Sequence, residues 1–444
     1  MRKIVKKTVS VMVAAAMTLG LAGCATDPAN GTMAGNDTTG GTNAANNVGN
    51  AGTSGNAGTS GGGSAANENT STDGSKKAGN TDVTELTFWF ANSDTVETYI
   101  VEATERFNNT VGAEKGIHVT AEYQGAYTDL HQKLQAAYIA KTAPELTVLE
   151  IGAVGLFAQG GMIQPIDDRI SSDGIDMGDF HDGLLYNCYI DGSCYTLPFL
   201  RSTSIFYMNT TILEQAGVNP DDIVTWDDVA KASETIKEKT GKYGISMPIN
   251  YWFHEAFMLT EGGFTVNDDE TACTVDNDVD RKIIAYFKDL KDRGLAHLYP
   301  YAEYDKMSAD LMNQDAAFFF QSTGGCNIAM LSGLSKEKQD AAWEYMKFMT
   351  SLDETVEASI VTGYLATRKS AMDAAKMVAW YEKYPQYKVA LDQLEVASGR
   401  PNNPGYVEFQ VELTNAMAEM MVNDADVDST LKELEAKGNE LLNE

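Results

Sequence analysis

Leu86-Thr87-Phe88-Trp89-Phe90, His118-Val119-Thr120-Ala121-Glu122-Tyr123 and Leu146-Thr147-Val148-Leu149-Glu150-Ile151 are short apolar or alternating runs that read as strands. Helix-patterned segments separate them. Thr95 to Asn108 carries an apolar stripe through Ile100, Ala103 and Phe107, and Leu130 to Ala140 stops before Pro144. Strand–helix–strand units of this kind pair their strands in parallel, with the crossover helices on the sheet faces. The pattern therefore predicts α/β layers rather than an all-β or all-α body. The third run is apolar almost throughout and reads as a buried strand. Glu150 stands at its carboxyl end, next to the last residue Ile151, where open α/β sheets hold their ligands.

Downstream, Thr225-Trp226-Asp227-Asp228 resembles a capping box with Asp in place of the usual Glu. It opens a helix through Val229, Ala232 and Ile236 that stops at Gly241. Arg281 to Asp292, closed by Gly294, and Ser335 to Met349 are further amphipathic helices. The run Asp268-Asp269-Glu270 reads as a solvated surface loop. Cys188 and Cys194 flank the turn signal Asp191-Gly192, so a hairpin with a three-residue loop would set them opposite each other. A disulfide is one option there for an exported chain, and small core thiols are the other. No C-x-x-C pair is present, so no zinc or other metal site is expected.

Upstream, the chain opens with Arg2, Lys3, Lys6 and Lys7, an apolar run from Val9 to Leu21, and then Leu21-Ala22-Gly23-Cys24. The run is well short of the roughly 20 residues of a spanning helix. It resembles the leader and lipobox of bacterial lipoproteins, in which the cysteine is acylated and becomes the new N-terminus. Residues 1–23 are thus expected to be removed, and Cys24 to carry lipid on the extracytoplasmic face of a cell membrane. Residues 24–80 are dominated by Gly, Asn, Thr, Ala and Ser and read as a disordered leash with a reach of roughly 40 Å. The formal charge of -30 falls almost wholly on the remainder. Nucleic acid, which needs a basic footprint, is excluded as an expected partner.

Beyond the leash an ordered set of motifs appears. It begins with Phe88-Trp89, Phe107-Asn108, Gly125-Ala126-Tyr127, Val148 to Gly152 and Pro198-Phe199, followed by Ser202-Thr203 and Tyr207-Met208-Asn209. It ends with Ser322-Thr323-Gly324, Gly325-Cys326-Asn327, Thr362-Gly363-Tyr364-Leu365, and Arg400 ahead of Pro404-Gly405-Tyr406. Together these resemble the extracellular solute-binding proteins of ABC importers, in the branch that binds glycerol 3-phosphate and its diesters or carbohydrate. The resemblance implies a two-lobed, type II periplasmic-binding-protein-like clamp. Each lobe would be a mainly parallel sheet flanked by helices, with a hinge between the lobes and ligand held in the cleft. Lobe 1 would comprise 81–199 with 325–352, and lobe 2 200–324 with 353–444. The partners it implies are a small oxygen-rich solute and the transmembrane permease subunits. No cofactor and no catalytic residue is expected, and the default state is a monomer.

Carried over position by position, the resemblance implies that Tyr127, Glu150, Ser202, Ser322, Gly325 and Tyr364 contact ligand. Hydroxyls and backbone N–H groups would serve ligand oxygens, and the carboxylate would accept from ligand hydroxyls. Trp252, and less so Trp89, could offer an aromatic face to a sugar or glycerol. The sequence departs from the family pattern twice. Where the phosphate-binding branch has a late arginine, the register set by Arg400 gives Glu408, and Arg201 is the candidate replacement for pairing a phosphate. Gly324 also runs directly into Gly325, where the family has a helix, a strand and a loop. One inter-lobe crossing segment is missing, which should expose its packing partners. Enzyme motifs are weak. His254-Glu255 begins an H-E-x-x-H pattern that Met258 interrupts, and Glu150 with Asp129 is the carboxylate pair a glycosidase would need.

Overall fold

The computed structural model describes residues 83–321 and 324–444. The leader, Cys24, the leash and Ser322 lie outside the described residues. Eleven strands are found among those described. They are β1 (Thr84–Phe90), β2 (Ile117–Tyr123), β3 (Leu146–Glu150), β4 (Tyr189–Ile190), β5 (Ser193–Cys194), β6 (Thr196–Arg201), β7 (Ile205–Met208), β8 (Tyr243–Ile249), β9 (Ala296–Pro300), β10 (Ala316–Gln321) and β11 (Gly325–Met330).

Two sheets organise them, in the orders β2-β1-β3-β11-β6 and β7-β10-β8-β9. In the first, β1 runs parallel to both β2 and β3, as strand–helix–strand units require. β11 is antiparallel to β3 and to β6. In the second, β8 is parallel to β9 and β10, and β7 is antiparallel to β10. The second sheet is mainly parallel, as expected, and the first is evenly mixed, with two parallel and two antiparallel pairs. The antiparallel strands come where the chain passes from one sheet to the other with no helix between, from β6 to β7 and from β10 to β11.

Each sheet has its own apolar core. Leu86, Phe88, Phe90, Val148, Ile328 and Tyr345 pack in one, and Ile245, Met247, Phe253, Phe318, Phe409 and Leu413 in the other. The caps form as expected. Thr225 Oγ accepts from the Asp228 amide at 3.2 Å, Asp228 returns the bond to the Thr225 amide at 3.0 Å, and Gly241 closes the helix Trp226–Thr240 in the left-handed region. Ser335 caps Lys336–Met349.

Two expectations are revised. The helix Leu352–Thr362, which the expected boundary at 352 placed in lobe 2 apart from its first residue, packs with the first core: Ala358 lies there, the Tyr99 hydroxyl donates to Glu354 O at 3.1 Å, and Arg106 pairs with Glu354 at 2.7 Å. The final return to the second core comes later, with Tyr406–Met421 and Val427–Leu441. The second revision concerns the cysteines. The hairpin pairs Tyr189 with Cys194 and Ile190 with Ser193 around the two-residue turn Asp191-Gly192, both in the left-handed region. Cys188 thus falls one residue outside the ladder instead of opposite Cys194. Both thiols are free and buried, bonded to the carbonyls of Leu184 and Thr196.

Candidate functional site

β3 delivers Glu150 to the carboxyl end of the first sheet, where its Oε2 accepts from the Gly152 amide at 2.9 Å and caps the short turn that follows. Its other oxygen meets the guanidinium of Arg400. Arg400 Nε donates to Glu255 Oε2 at 2.7 Å, and Glu255 Oε1 accepts from the Tyr406 hydroxyl at 2.6 Å. Glu255 stands on the helix Tyr251–Thr260, which follows β8 of the second sheet. One arginine therefore ties the two sheets' ends together through two carboxylates, with the Tyr251 ring beneath the guanidinium at 5.3 Å. Burial and the neighbouring Glu255 push the Glu150 carboxyl above its ordinary pKa, against the pull of Arg400. Burial disfavours the charge on Arg400, yet the two carboxylates outweigh it and hold the guanidinium charged. The cluster thus sets two carboxyl groups against one guanidinium, with the buried Arg201 close enough to feel both Glu150 and Arg400.

The loop that presents Arg400 is fixed from both sides. Asn187 accepts from the Arg400 amide at 3.0 Å and donates to its carbonyl at 2.9 Å. Glu270 accepts from the amides of Asn402 and Asn403 at 2.6 and 3.0 Å. The acidic run expected to be only a solvated loop thus carries a backbone clamp at its last residue.

A cavity of about 960 Å³ opens beside this cluster, at the upper end of the range for ligand sites. Arg201, Ser202, Trp252, Glu255, Gly324 and Arg400 line it, together with an apolar wall that includes Phe206, Trp226, Phe257 and Phe320. Val224, Leu259 and Phe264 on its border stay more than two-fifths exposed, near the short crossing between β10 and β11.

The sequence-predicted residues fall into two groups. Ser202, Arg201 and Trp252 line the cavity. Ser202 is tied to the crossing, its Oγ accepting from the Gly324 amide at 3.0 Å. Arg201 is 3% exposed and spends its donors on Gly324 O, Leu184 O and Asn327 Oδ1, at 2.8 to 3.0 Å. Burial, with the nearby Arg400 charge, lowers its pKa more than Glu150 and the two cysteines raise it, the reverse of Arg400. Trp252 is 5% exposed, its ring 3.8 Å from that of Phe253. Trp89 lies elsewhere, its indole bound to Glu122.

Tyr127, Glu150, Gly325 and Tyr364 form the second group, around the carboxyl ends of β1 and β3 and the start of β11. Cys326 pairs with Glu150 across the ladder. It lies near enough to Tyr127 and Tyr364 to affect both phenols, whose pKa values burial raises. Gly325 has φ +78°, and a Cβ there would stand 1.9 Å from Leu200 O, so only glycine permits this approach of β11 to β6. Asp129 caps its own helix by accepting from the Ala126 amide at 3.2 Å, and Glu150 is held by Arg400, so neither is arranged as a hydrolytic partner of the other. Among the described residues, no group of His, Cys, Asp and Glu side chains could hold a metal ion, and no helix is long and apolar enough to cross a membrane. Sequence inspection named Tyr406 beside Arg400, Glu255 in an interrupted metal pattern and Glu270 in an acidic run, but gave none of them a role at the site, and it missed Asn187 altogether.

Comparisons with known proteins follow this geometry. The model for the family described as bacterial extracellular solute-binding protein matches residues 102–325 and 321–389. The arabinooligosaccharide-binding protein of Bacillus subtilis is 29% identical over 216 residues, 48% of this chain and 49% of that protein. This chain thus spans about half the length of that relative. The sn-glycerol-3-phosphate-binding periplasmic protein UgpB of Rhizobium meliloti is 21% identical over 365 residues, covering 72% and 84%. Among solved structures, UgpB from Mycobacterium tuberculosis in complex with glycerophosphocholine superposes with a TM-score of 0.73 at 21% identity, covering 81% of this chain and 98% of that one. The GacH receptor of Streptomyces glaucescens gives 0.72 at 20%, covering 82% and 99%. Both structures carry the two-lobed fold over. With the family model spanning more than half of its length, the chain belongs to the bacterial extracellular solute-binding proteins.

Proposed function

We propose that this protein is the lipid-anchored receptor of an ABC importer and that its ligand is a neutral, hydroxyl-rich solute, an oligosaccharide rather than a phosphoester. It performs no chemistry on the ligand. It captures the solute between its lobes, closes by hinge motion, and delivers it as a monomer to the permease. The observation that carries the choice of ligand is the fate of the arginines. Arg400 is bracketed by Glu150 and Glu255, and Arg201 donates to Gly324 O, Leu184 O and Asn327 Oδ1, so a phosphate entering here would meet guanidinium groups already bonded within the protein, with two carboxyl groups beside them. The name of the Bacillus relative and the tyrosines at the strand ends support the same choice. Within this proposal Ser202, Glu150, Tyr127, Tyr364 and Gly325 border the ligand, Trp252 backs it, and Arg201 supports the crossing strand. Ser322, outside the described residues, stays in the proposed set by its motif alone.

Titration calorimetry of the purified protein against maltotriose, arabinotriose, glycerol 3-phosphate and glycerophosphocholine tests this. Micromolar or tighter binding of a saccharide, little changed by 0.5 M salt, is the expected outcome. Salt-sensitive binding of a phosphoester alone would overturn it.

A further inference from the structure

We propose that the cavity takes a glycoside whose sugar part lies by Ser202 and Arg400 and whose aromatic aglycone packs on the wall made by Phe206, Trp226, Phe257 and Phe320. This rests on the function proposed above and narrows its ligand to oligosaccharides that carry an apolar ring.

The wall belongs to the second sheet and its helices. β7 supplies Phe206 and β10 supplies Phe320. The ring of Trp226, the first residue of its helix, lies 5.8 Å from Phe206 at 77° and 5.5 Å from Phe320 at 27°. Phe257 meets Trp226 and Phe320 edge to face, each at 5.1 Å. Phe257 and Phe320 are buried, whereas Phe206 and Trp226 are only half-buried and keep surface for a further ring. The wall is continuous with the polar cluster, because the helix Tyr251–Thr260 serves both. Its Glu255 pairs with Arg400, and Leu259, 42% exposed, borders the cavity one turn on, about 6 Å further along the helix. Val224 and Phe264, each 41% exposed, complete that border.

The polar groups on this side are already used. The Thr225 hydroxyl donates to Asp228 at 2.7 Å, and the Thr265 and Tyr406 hydroxyls lie 2.7 Å apart. Tyr286 donates to Trp226 O at 2.7 Å, and Lys282 pairs with Glu261 at 2.5 Å. Among the described residues, no buried side-chain polar atom that lacks a partner belongs to a residue lining the cavity. A saccharide hydroxyl pressed against this wall would lose water and find nothing to replace it. An aromatic ring there buries apolar surface and extends the edge-to-face array. An alkyl chain would bury surface but make no ring–ring contact. At about 960 Å³ the cavity has room for a ring beside a short saccharide.

Titration calorimetry of the purified protein with maltotriose and arabinotriose, each as free sugar, phenyl glycoside and octyl glycoside, tests the aglycone. The phenyl glycoside should bind about tenfold or more tightly than its free sugar, ahead of the octyl glycoside, and with a more negative heat-capacity change. Leu259→Ser with Phe264→Ser changes two exposed side chains, so a thermal melt should find the fold retained. In that double variant the phenyl-to-free affinity ratio should fall below about threefold. A wild-type ratio already that small, a ratio unchanged in the variant, or tighter binding of the octyl glycoside would each overturn the aromatic aglycone and leave the receptor function standing. No heat from any of these ligands would instead remove the oligosaccharide proposal, and the aglycone with it.

Discussion

The cluster around Arg400 and the side chains packed about Tyr127 and His131 treat polar groups in opposite ways. At Arg400, Glu150 and Glu255 are buried but paired, and the loop that presents the guanidinium is clamped from both sides. Beside Tyr127, whose phenol burial keeps protonated, His131 Nε2 is buried and has no hydrogen-bond partner among the described residues. A satisfied cluster holds two segments in register, whereas an unsatisfied one awaits a partner. Function in this fold is thus assigned by asking which polar groups the protein has already used. The arginines, the most suggestive residues for a phosphate ligand, are the ones already used.

The largest expected effect comes from unpairing the satisfied cluster. Arg400→Met should destabilise the protein by roughly 3 to 5 kcal/mol, because two buried carboxylates lose their counter-ion. Adding Glu150→Gln and Glu255→Gln should recover much of that loss in chemical denaturation. A loss under about 1 kcal/mol for the single variant would mean that the triad does not join the two cores.

The unsatisfied region predicts a pH limb. Burial lowers the His131 pKa to about 4 from 6.5. The folded state therefore keeps the ring neutral while the unfolded chain takes up a proton below 6.5. Stability is complete above pH 6.5 and falls as pH drops towards 4, by at most about 3 kcal/mol. His131→Phe, whose ring suits neighbours Tyr127 and Phe157, should flatten that limb in unfolding curves between pH 4 and 6.5. An unchanged slope would assign the acid sensitivity to other groups.

A smaller effect calibrates both. Thr225→Ala removes an exposed, fully bonded helix cap and should cost about 1 kcal/mol at any pH in that range. A cost as large as that of Arg400→Met would erase the distinction between buried and exposed polar groups drawn above.

Much of the frame was legible in the sequence because local chemistry dictates it. The three strand runs, the Thr225 box, Gly241 and the Ser335 cap all fall within a residue or two of their expected places. What escaped is set by long-range pairing. Glu270 looks like one of three surface acids until Asn402 and Asn403 fold back onto it. Leu352–Thr362 has no local mark telling which core it covers, and only Tyr99 and Arg106, some 250 positions earlier, decide that. The hairpin was foreseen but its register was not, and a shift of one residue separates opposed thiols from free ones. At the site, motif order grouped Tyr127, Glu150, Ser202, Ser322, Gly325 and Tyr364 as one set, whereas in the structure Ser202 lines the cavity and Tyr127, Glu150, Gly325 and Tyr364 lie about the start of β11. It could not reveal that Arg201 faces carbonyls, nor that Arg400 is shared between two acids.

A crystal structure of the protein soaked with whichever of maltotriose or arabinotriose binds more tightly would test the division between used and waiting groups most directly. The predicted result is Arg400 still bridging Glu150 and Glu255, with the sugar bordered by Ser202, Tyr127 and Tyr364. Arg400 released from its carboxylates and turned onto the ligand would contradict it.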